Sequence, residues 1–331
     1  MVENTLAAFS QCGQPEQVLE LNSAPVREPK AGEILVRMLA APINPADINF
    51  IQGVYGLKPG FPDATAGMEG CGVVEETRSP AFLPGDQVIL LHGIGTWAKY
   101  LTASADRFLK LQVPVDPAQA AMLKINPPTA YRLLTGYREL HRGDWLVQNA
   151  ANSGVGRCVM QLARLLGFKT INMVRRADRW AEELRTLGAD VVVDEDDPQA
   201  VGQVLAALGG TRPLLGLNAV GGESAIRLME VLGDGGTLVT YGAMSKQSLK
   251  VPNRFLIFKG LELKGLWITA WLQQQSRGDI EQLYDRLAGW MAKGALHQPI
   301  DATYPLAQVT AAVTRAQEAY RNGKVMLRLD Q

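Results

Sequence analysis

The richest chemistry in this chain lies in the stretch Gln148-Asn149-Ala150-Ala151-Asn152-Ser153-Gly154-Val155-Gly156 and, one helix and one strand later, in Arg175-Arg176. Trp145–Gln148 is a short apolar run that reads as a buried strand. Gly154 and Gly156 permit a tight turn and close backbone approach, and Val155, Val159, Leu162, Ala163 and Leu166 recur at helical spacing. Strand, glycine turn and helix in that order leave the first helical N–H groups without internal partners. They sit at the positive end of the dipole, where a pyrophosphate binds without a side-chain cation. Gly167 closes the helix, and 170–174 reads as the next strand. An acidic residue after that strand would accept hydrogen bonds from an adenosine ribose, but here Arg175, Arg176 and then Arg179 follow. Guanidinium groups match phosphate oxygens bidentately and stay charged, so the pattern favours a 2′-phosphate and hence NADPH over NADH. The plain alternative is a solvated basic helix start, and the spacing from the glycine turn weighs against it.

Such groups need elements to hold them. Strands over 145–148, 170–174, 190–193, 214–219, 237–241 and 261–267 alternate with helices reaching 166 and covering 180–187, 199–208 and 224–232. This alternation predicts an α/β domain of Rossmann type, a doubly wound parallel sheet with helices on both faces. From Leu6 to about Pro114 the texture differs, with short apolar or alternating runs such as 33–39 and 85–91 broken by Gly and Pro. That predicts a compact, largely antiparallel β domain. From Ile280 onward we expect a helix to Met291, a turn, a helix over 306–320 and a final strand over 325–329.

Composition bounds the partners. A chain of 331 residues with 47% hydrophobic content supplies two cores. Lys plus Arg equals Asp plus Glu at 33 each, so no global field draws it to nucleic acid or anionic membrane, and a small molecule is the expected partner. Residues 1–4 lack a basic, then apolar, leader pattern, and no uncharged apolar run is long enough to span a bilayer. Cys12, Cys71 and Cys158 lie far apart, which suits a reducing compartment. These features lead to the expectation of a soluble, cytoplasmic protein.

Six segments occur in order: Asn-Pro-Ala-Asp-Ile-Asn-Phe-Ile-Gln-Gly-Val-Tyr-Gly at 44–56, Gly-Thr-Trp at 95–97, Ile-Asn-Pro-Pro-Thr-Ala-Tyr-Arg at 125–132, the glycine turn at 148–156, Tyr-Gly-Ala-Met-Ser-Lys-Gln at 241–247 and Leu-Ile-Phe-Lys at 256–259. Together they resemble the trans-2-enoyl thioester reductases of mitochondrial type, in the medium-chain dehydrogenase/reductase superfamily, over nearly the whole chain. The resemblance implies a GroES-like catalytic domain over 1–125, an inserted NADPH-binding Rossmann domain over 126–269, a C-terminal return over 270–331 that completes the catalytic domain, and a homodimer joined through the cofactor sheets. It also implies a catalytic role for Tyr55 and NADPH contacts from Asn126, Asn152, Ser153, Gly154, Val155, Arg175, Arg176, Ala177, Tyr241, Gly242, Ala243, Met244, Leu266, Trp267, Ile268, Thr269 and Lys324. For Tyr241 and Trp267 the competing reading is core packing at a strand end, and for Lys324 a solvated lysine. One departure stands out: the family often shows Arg-Asp-Arg after the second strand, whereas this chain has Arg175-Arg176-Ala177, so which arginine meets the 2′-phosphate is open.

Zinc-dependent members of the superfamily carry Gly-His-Glu and a cysteine-rich lobe; this chain has Gly67-Met68-Glu69, no clustered cysteines and scattered His92, His141 and His297, so no metal is expected. Tyr55 lies between Gly53 and Gly56, before Lys58-Pro-Gly-Phe-Pro62, and is expected on an exposed tight turn, with loop packing as the competing role. A phenol is protonated near pH 7 and can donate to a developing enolate or its α-carbon. The expected reaction is hydride to the β-carbon and a proton to the α-carbon of an enoyl thioester of CoA or acyl-carrier protein. Two readings compete: a zinc-independent NADPH:quinone or alkenal reductase, and a nucleotide-binding protein that has kept the fold without the chemistry. Comparing crotonyl-CoA with a benzoquinone separates them.

Overall fold

The computed structural model describes residues 2–319 and 321–330. The first stretch carries β1 (Glu3–Phe9), α1 (Pro15–Val18), β2 (Glu20–Pro25), β3 (Glu33–Pro42), α2 (Pro45–Ile51), β4 (Ala64–Thr65), β5 (Cys71–Thr77), β6 (Gln87–Leu90), β7 (Tyr100–Ser104), β8 (Phe108–Lys110) and α3 (Pro117–Ala121). Then follow α4 (Asn126–Thr135), β9 (Trp145–Gln148), α5 (Gly154–Leu166), β10 (Lys169–Val174), α6 (Ala177–Thr186), β11 (Val191–Asp194), α7 (Ala200–Leu208), β12 (Leu215–Asn218), α8 (Gly222–Val231), β13 (Thr237–Thr240), α9 (Asn253–Ile257), β14 (Glu262–Gly265) and α10 (Ile268–Gln273). The chain closes with α11 (Arg277–Ala292), β15 (Ile300–Pro305), α12 (Val309–Gln317) and β16 (Lys324–Arg328).

Two compact units result: Met1–Ile125 with Arg277–Gln331, and Asn126–Ser276. The first is built on a sheet in the order β15-β16-β3-β5-β6-β8, with β7 also on β3, and on a small sheet β2-β1-β4. Its core gathers Phe9, Ile34, Val36, Met38, Trp97, Phe108 and Leu327. Most pairings are antiparallel as expected, but β15 runs parallel to β16. The strand β15 went unread because Ile-Asp-Ala-Thr-Tyr-Pro buries no residue fully, leaving no apolar alternation to see. The expected 306–320 helix is a 3-10 turn, Leu306–Gln308, followed by α12; Tyr320 lies outside the described residues.

The second unit is the doubly wound sheet. Its six parallel strands run β11-β10-β9-β12-β13-β14, and burial on both faces of β9, β10, β12 and β13 explains their near-continuous apolar runs, whereas the outer β14 is largely exposed. The chain moves outward from β9 through β10 and β11, then returns to β12 on the other side of β9. That reversal makes the carboxyl ends of β9 and β12 the switch point where such sheets hold ligands. Between β9 and β10, Ser153 caps α5 by accepting a bond from the Gly156 N–H at 3.2 Å, and Gly167 ends the helix in the left-handed region at φ 84°.

Candidate active site

At the carboxyl end of β9, the Asn149 side chain fastens two strands. Its amide nitrogen donates to Asn218 Oδ1 and Ser224 Oγ, both at 2.9 Å, and its oxygen accepts from the Ala219 N–H at 2.7 Å. The turn that follows is tight enough to exclude side chains: a Cβ on Gly156 would lie 2.6 Å from the Ala151 carbonyl oxygen and 2.8 Å from that of Ala150. Gly242, after β13, is equally confined, 2.9 Å from the Ala219 oxygen by the same measure. These are the close backbone approaches the glycines of a dinucleotide turn exist to permit.

Tyr241 is half-buried, but its hydroxyl is fully enclosed and makes no well-formed hydrogen bond among the described residues. Burial pushes this phenol well above its ordinary range, against a smaller downward pull from Ser153 beside it. An enclosed donor facing the glycine turn is a feature that a bound phosphate would satisfy. Asn152, Ser153, Gly154, Val155, Tyr241 and Gly242 thus lie together at the carboxyl ends of the parallel strands, with Ala243 and Met244 exposed next along the chain. Arg175 and Arg176 are exposed at the end of the neighbouring β10. Arg176 adopts φ 58° before α6, with Nε 3.7 Å from Asp178. The Ala177 N–H donates to Asp194 Oδ2 at 3.0 Å, so that amide already serves the helix start. Leu266 to Thr269 differ from expectation. β14 stops at Gly265, Trp267 is 48% exposed, and Ile268 and Thr269 begin α10, so Trp267 is not a core residue. Asn126 is buried as the first residue of α4.

In the first unit, Tyr55 follows α2 in a bend closed by its own backbone. The N–H groups of Val54 and Tyr55 both donate to the Asn49 carbonyl, at 2.9 and 3.2 Å, and Lys58 Nζ donates to Gly53 O at 2.8 Å. Gly53 has φ 74°, and a Cβ there would strike Cys12 Sγ at 2.6 Å. Tyr55 is half-buried against the first core, not fully exposed as the turn residues suggested, because its ring packs while the backbone bends. Further along the same loop, Leu57, Lys58 and Asp63 line a recess of about 460 Å³ with Phe50 and Ile94.

Beneath α2 lies a buried polar cluster that sequence reasoning missed. Asp47 accepts the N–H groups of Asn44 and Met68, both at 2.8 Å, and Glu69 accepts Asn44 Nδ2 at 2.7 Å and the Ile125 N–H at 3.1 Å. Lys124 Nζ donates to Met68 O, and Lys324 Nζ to Asn44 Oδ1. Lys324 is therefore half-buried and engaged, unlike a solvated lysine. Burial pushes the carboxyl of Asp47 up to about 6, raises that of Glu69 and lowers the ammonium of Lys124. Charged residues set in apolar or glycine runs, Met68-Glu69-Gly70 and Met122-Leu123-Lys124-Ile125, were the available signal. A metal does not fit this donor set: among the described residues no group of three or more His, Cys, Asp or Glu could hold one.

Two family models match, the alcohol dehydrogenase GroES-like domain over 30–113 and the zinc-binding dehydrogenase over 154–288. The mitochondrial enoyl-[acyl-carrier-protein] reductase of Xenopus tropicalis is 39% identical over 96% of this chain and 93% of its own. A solved Etr1p/NADP/crotonyl-CoA complex matches with TM-score 0.91 and 28% identity, covering 99% of this chain and 100% of that one. A mycobacterial quinone oxidoreductase also matches, with TM-score 0.85, 27% identity and the same coverage. The expectation of a cytoplasmic protein is overturned by the relatives, which are named as mitochondrial enzymes. Neutral charge and separated cysteines describe solvent and redox conditions, which more than one compartment shares. On identity and coverage together, the chain belongs to the mitochondrial-type enoyl thioester reductases of the medium-chain dehydrogenase/reductase superfamily.

Proposed function

We propose Tyr55 as the proton donor in the reduction of the C2=C3 bond of a trans-2-enoyl thioester. Family membership carries the reaction class, an NADPH-dependent oxidoreductase acting on a carbon–carbon double bond. Bound at its site, NADPH would supply the hydride that reduces the β-carbon. Charge then develops on the thioester oxygen, and Tyr55 donates towards that enolate so that the α-carbon ends protonated. The observation that supports Tyr55 is its mounting: a backbone bend fixed by the Val54 and Tyr55 N–H groups on the Asn49 carbonyl and by Lys58 on Gly53, in the loop whose Leu57 and Lys58 line a recess with Phe50 and Ile94.

In this reading Asn126–Ser276 is the NADPH-binding unit, and Met1–Ile125 with Arg277–Gln331 the catalytic one. Asn152 to Val155 would hold the pyrophosphate, Tyr241 would donate its enclosed hydroxyl to the cofactor, and Gly242 would allow close approach. Arg175 and Arg176 would share the 2′-phosphate, while Ala177 contributes through its position rather than its N–H. Asn126, Ala243, Met244, Leu266, Trp267, Ile268 and Thr269 would flank the cofactor, and Lys324, oriented by Asn44, would supply a cation. A homodimer is supported by β14, the outer strand of its sheet, and by the neighbouring exposed side chains of Leu256, Ile257 and Phe258. The thioester carrier is CoA or acyl-carrier protein.

The test follows NADPH oxidation with crotonyl-CoA, its acyl-carrier-protein counterpart and a benzoquinone. Tyr55→Phe should lower kcat on the thioester by about 100-fold or more with NADPH binding intact. Full turnover by that variant removes Tyr55 from the reaction, and quinone turnover far above crotonyl-CoA turnover favours the quinone reading.

A further inference from the structure

Arg157 is the anomaly of the second unit. It is the fourth residue of α5, on the turn that begins the helix, and it is 1% exposed. A buried guanidinium is costly unless its donors are used, and here they are used in two directions. Nε donates to the Asn152 carbonyl at 2.9 Å, within the glycine turn. Nη1 pairs with Glu183 Oε1, and Nη2 lies 3.4 Å from Oε2 of the same carboxylate. Trp180 lies under the guanidinium at 5.7 Å. Glu183 and Trp180 belong to α6, the helix that starts directly after Arg175 and Arg176.

We infer that Arg157 and Glu183 form a positioning strut that fixes the spacing between the pyrophosphate turn and the start of α6, and so tunes the preference for a 2′-phosphorylated dinucleotide. The inference rests on the NADPH reading of those two regions. One side chain grips the Asn152 carbonyl and the body of α6 at once, so the turn and the arginine-bearing helix start cannot shift independently. Neither Arg157 nor Glu183 needs to touch the cofactor. The strut acts by holding two distant recognition points at the separation a single rigid ligand requires, which lowers the cost of ordering them on binding. Only NADPH carries a 2′-phosphate that Arg175 and Arg176 would engage, so NADPH would use both ends of this arrangement and NADH mainly the turn end.

The strut therefore has a signature that general loosening lacks. Removing it should weaken NADPH more than NADH. Dissociation constants for both cofactors are measured by quenching of protein fluorescence on Arg157→Gln, Arg157→Lys and Glu183→Gln, with KM and kcat on crotonyl-CoA alongside. Glu183 is 31% exposed, so its neutral variant keeps the fold accessible if Arg157→Gln does not fold. The ratio of NADH to NADPH dissociation constants should fall about fivefold in Glu183→Gln and Arg157→Gln, mainly through NADPH. KM for NADPH should rise while kcat at saturation stays near that of the parent. Arg157→Lys, which keeps the charge but loses the bidentate fork, should fall with Arg157→Gln. Equal weakening of both cofactors, or an unchanged ratio in Glu183→Gln, overturns the strut. A parent protein that binds NADH as tightly as NADPH instead overturns the NADPH reading, which separates the two failures.

Discussion

Asp47 shows how one buried carboxyl links the Tyr55 support to pH. The folded chain holds this group up to about 6, chiefly through burial, against a pull downward from the N–H groups of Asn44 and Met68 and from Lys324 and Lys124. Between about pH 4, where an unburied aspartate titrates, and about pH 6, the folded chain therefore keeps a proton that the unfolded chain releases. The stability this proton contributes is present at the acid end and is lost as pH rises through the window. Urea midpoints of the parent and of Asp47→Asn, compared across pH 4 to 7, should show the parent losing ground to the variant as pH rises; parallel profiles would contradict the buried titration. Residues of this kind were the least legible in the sequence. Asn44, Asp47, Glu69, Lys124 and Lys324 meet only after folding, with Asn44 and Lys324 separated by 280 positions, and no local spacing announces such a cluster. The glycine turn was legible because its chemistry is local: Ser153, Gly154 and Gly156 stand within four positions of one another and cap one helix.

Elements carried the clearest signal where they are buried on two faces. The inner strands β9, β10, β12 and β13 and the helices α5 to α8 fall within a few residues of where apolar runs and helical spacing put them, because both faces of those strands demand apolar side chains, whereas α9, before the largely exposed β14, was not read as a helix. The short helix α10 and the strand β15 escaped notice for the opposite reason, since each presents mixed, half-exposed residues. The α5 start makes a sharp prediction. Gly156→Ala would force a Cβ into the carbonyl oxygens of Ala151 and Ala150, so the variant should lose about 1–3 kcal/mol of stability and bind NADPH more weakly. Thermal melts with and without NADPH would show a lower apo midpoint and a smaller ligand-induced rise. An unchanged midpoint would mean the turn relaxes freely.

For the whole molecule, the proposed homodimer makes the exposed apolar side chains beside β14 the part to test. Phe258 is 79% exposed and Ile257 is 69% exposed, values that water tolerates poorly in two adjacent large residues. Phe258→Asp should shift sedimentation velocity from dimer to monomer at micromolar protein, whereas a monomeric parent would remove the proposal outright. The division into an antiparallel and a parallel part was readable from texture. The pairing of the last strand with β3 was not, because nothing in 324–328 specifies which distant edge it joins.

That last pairing has a consequence for how the chain is made. β3 leaves the ribosome early, yet its partner β16 comes about 280 residues later, a wait on the order of tens of seconds at ordinary translation rates. In that interval every strand of the parallel sheet has already emerged, while the Ala40–Pro42 end of β3, beyond the stretch that β7 takes, still presents unpaired backbone groups. A nascent chain halted before Lys324 would thus carry a full set of parallel strands beside a first unit with an open edge, and it is at that edge that chaperones or aggregation would compete with completion of the enzyme.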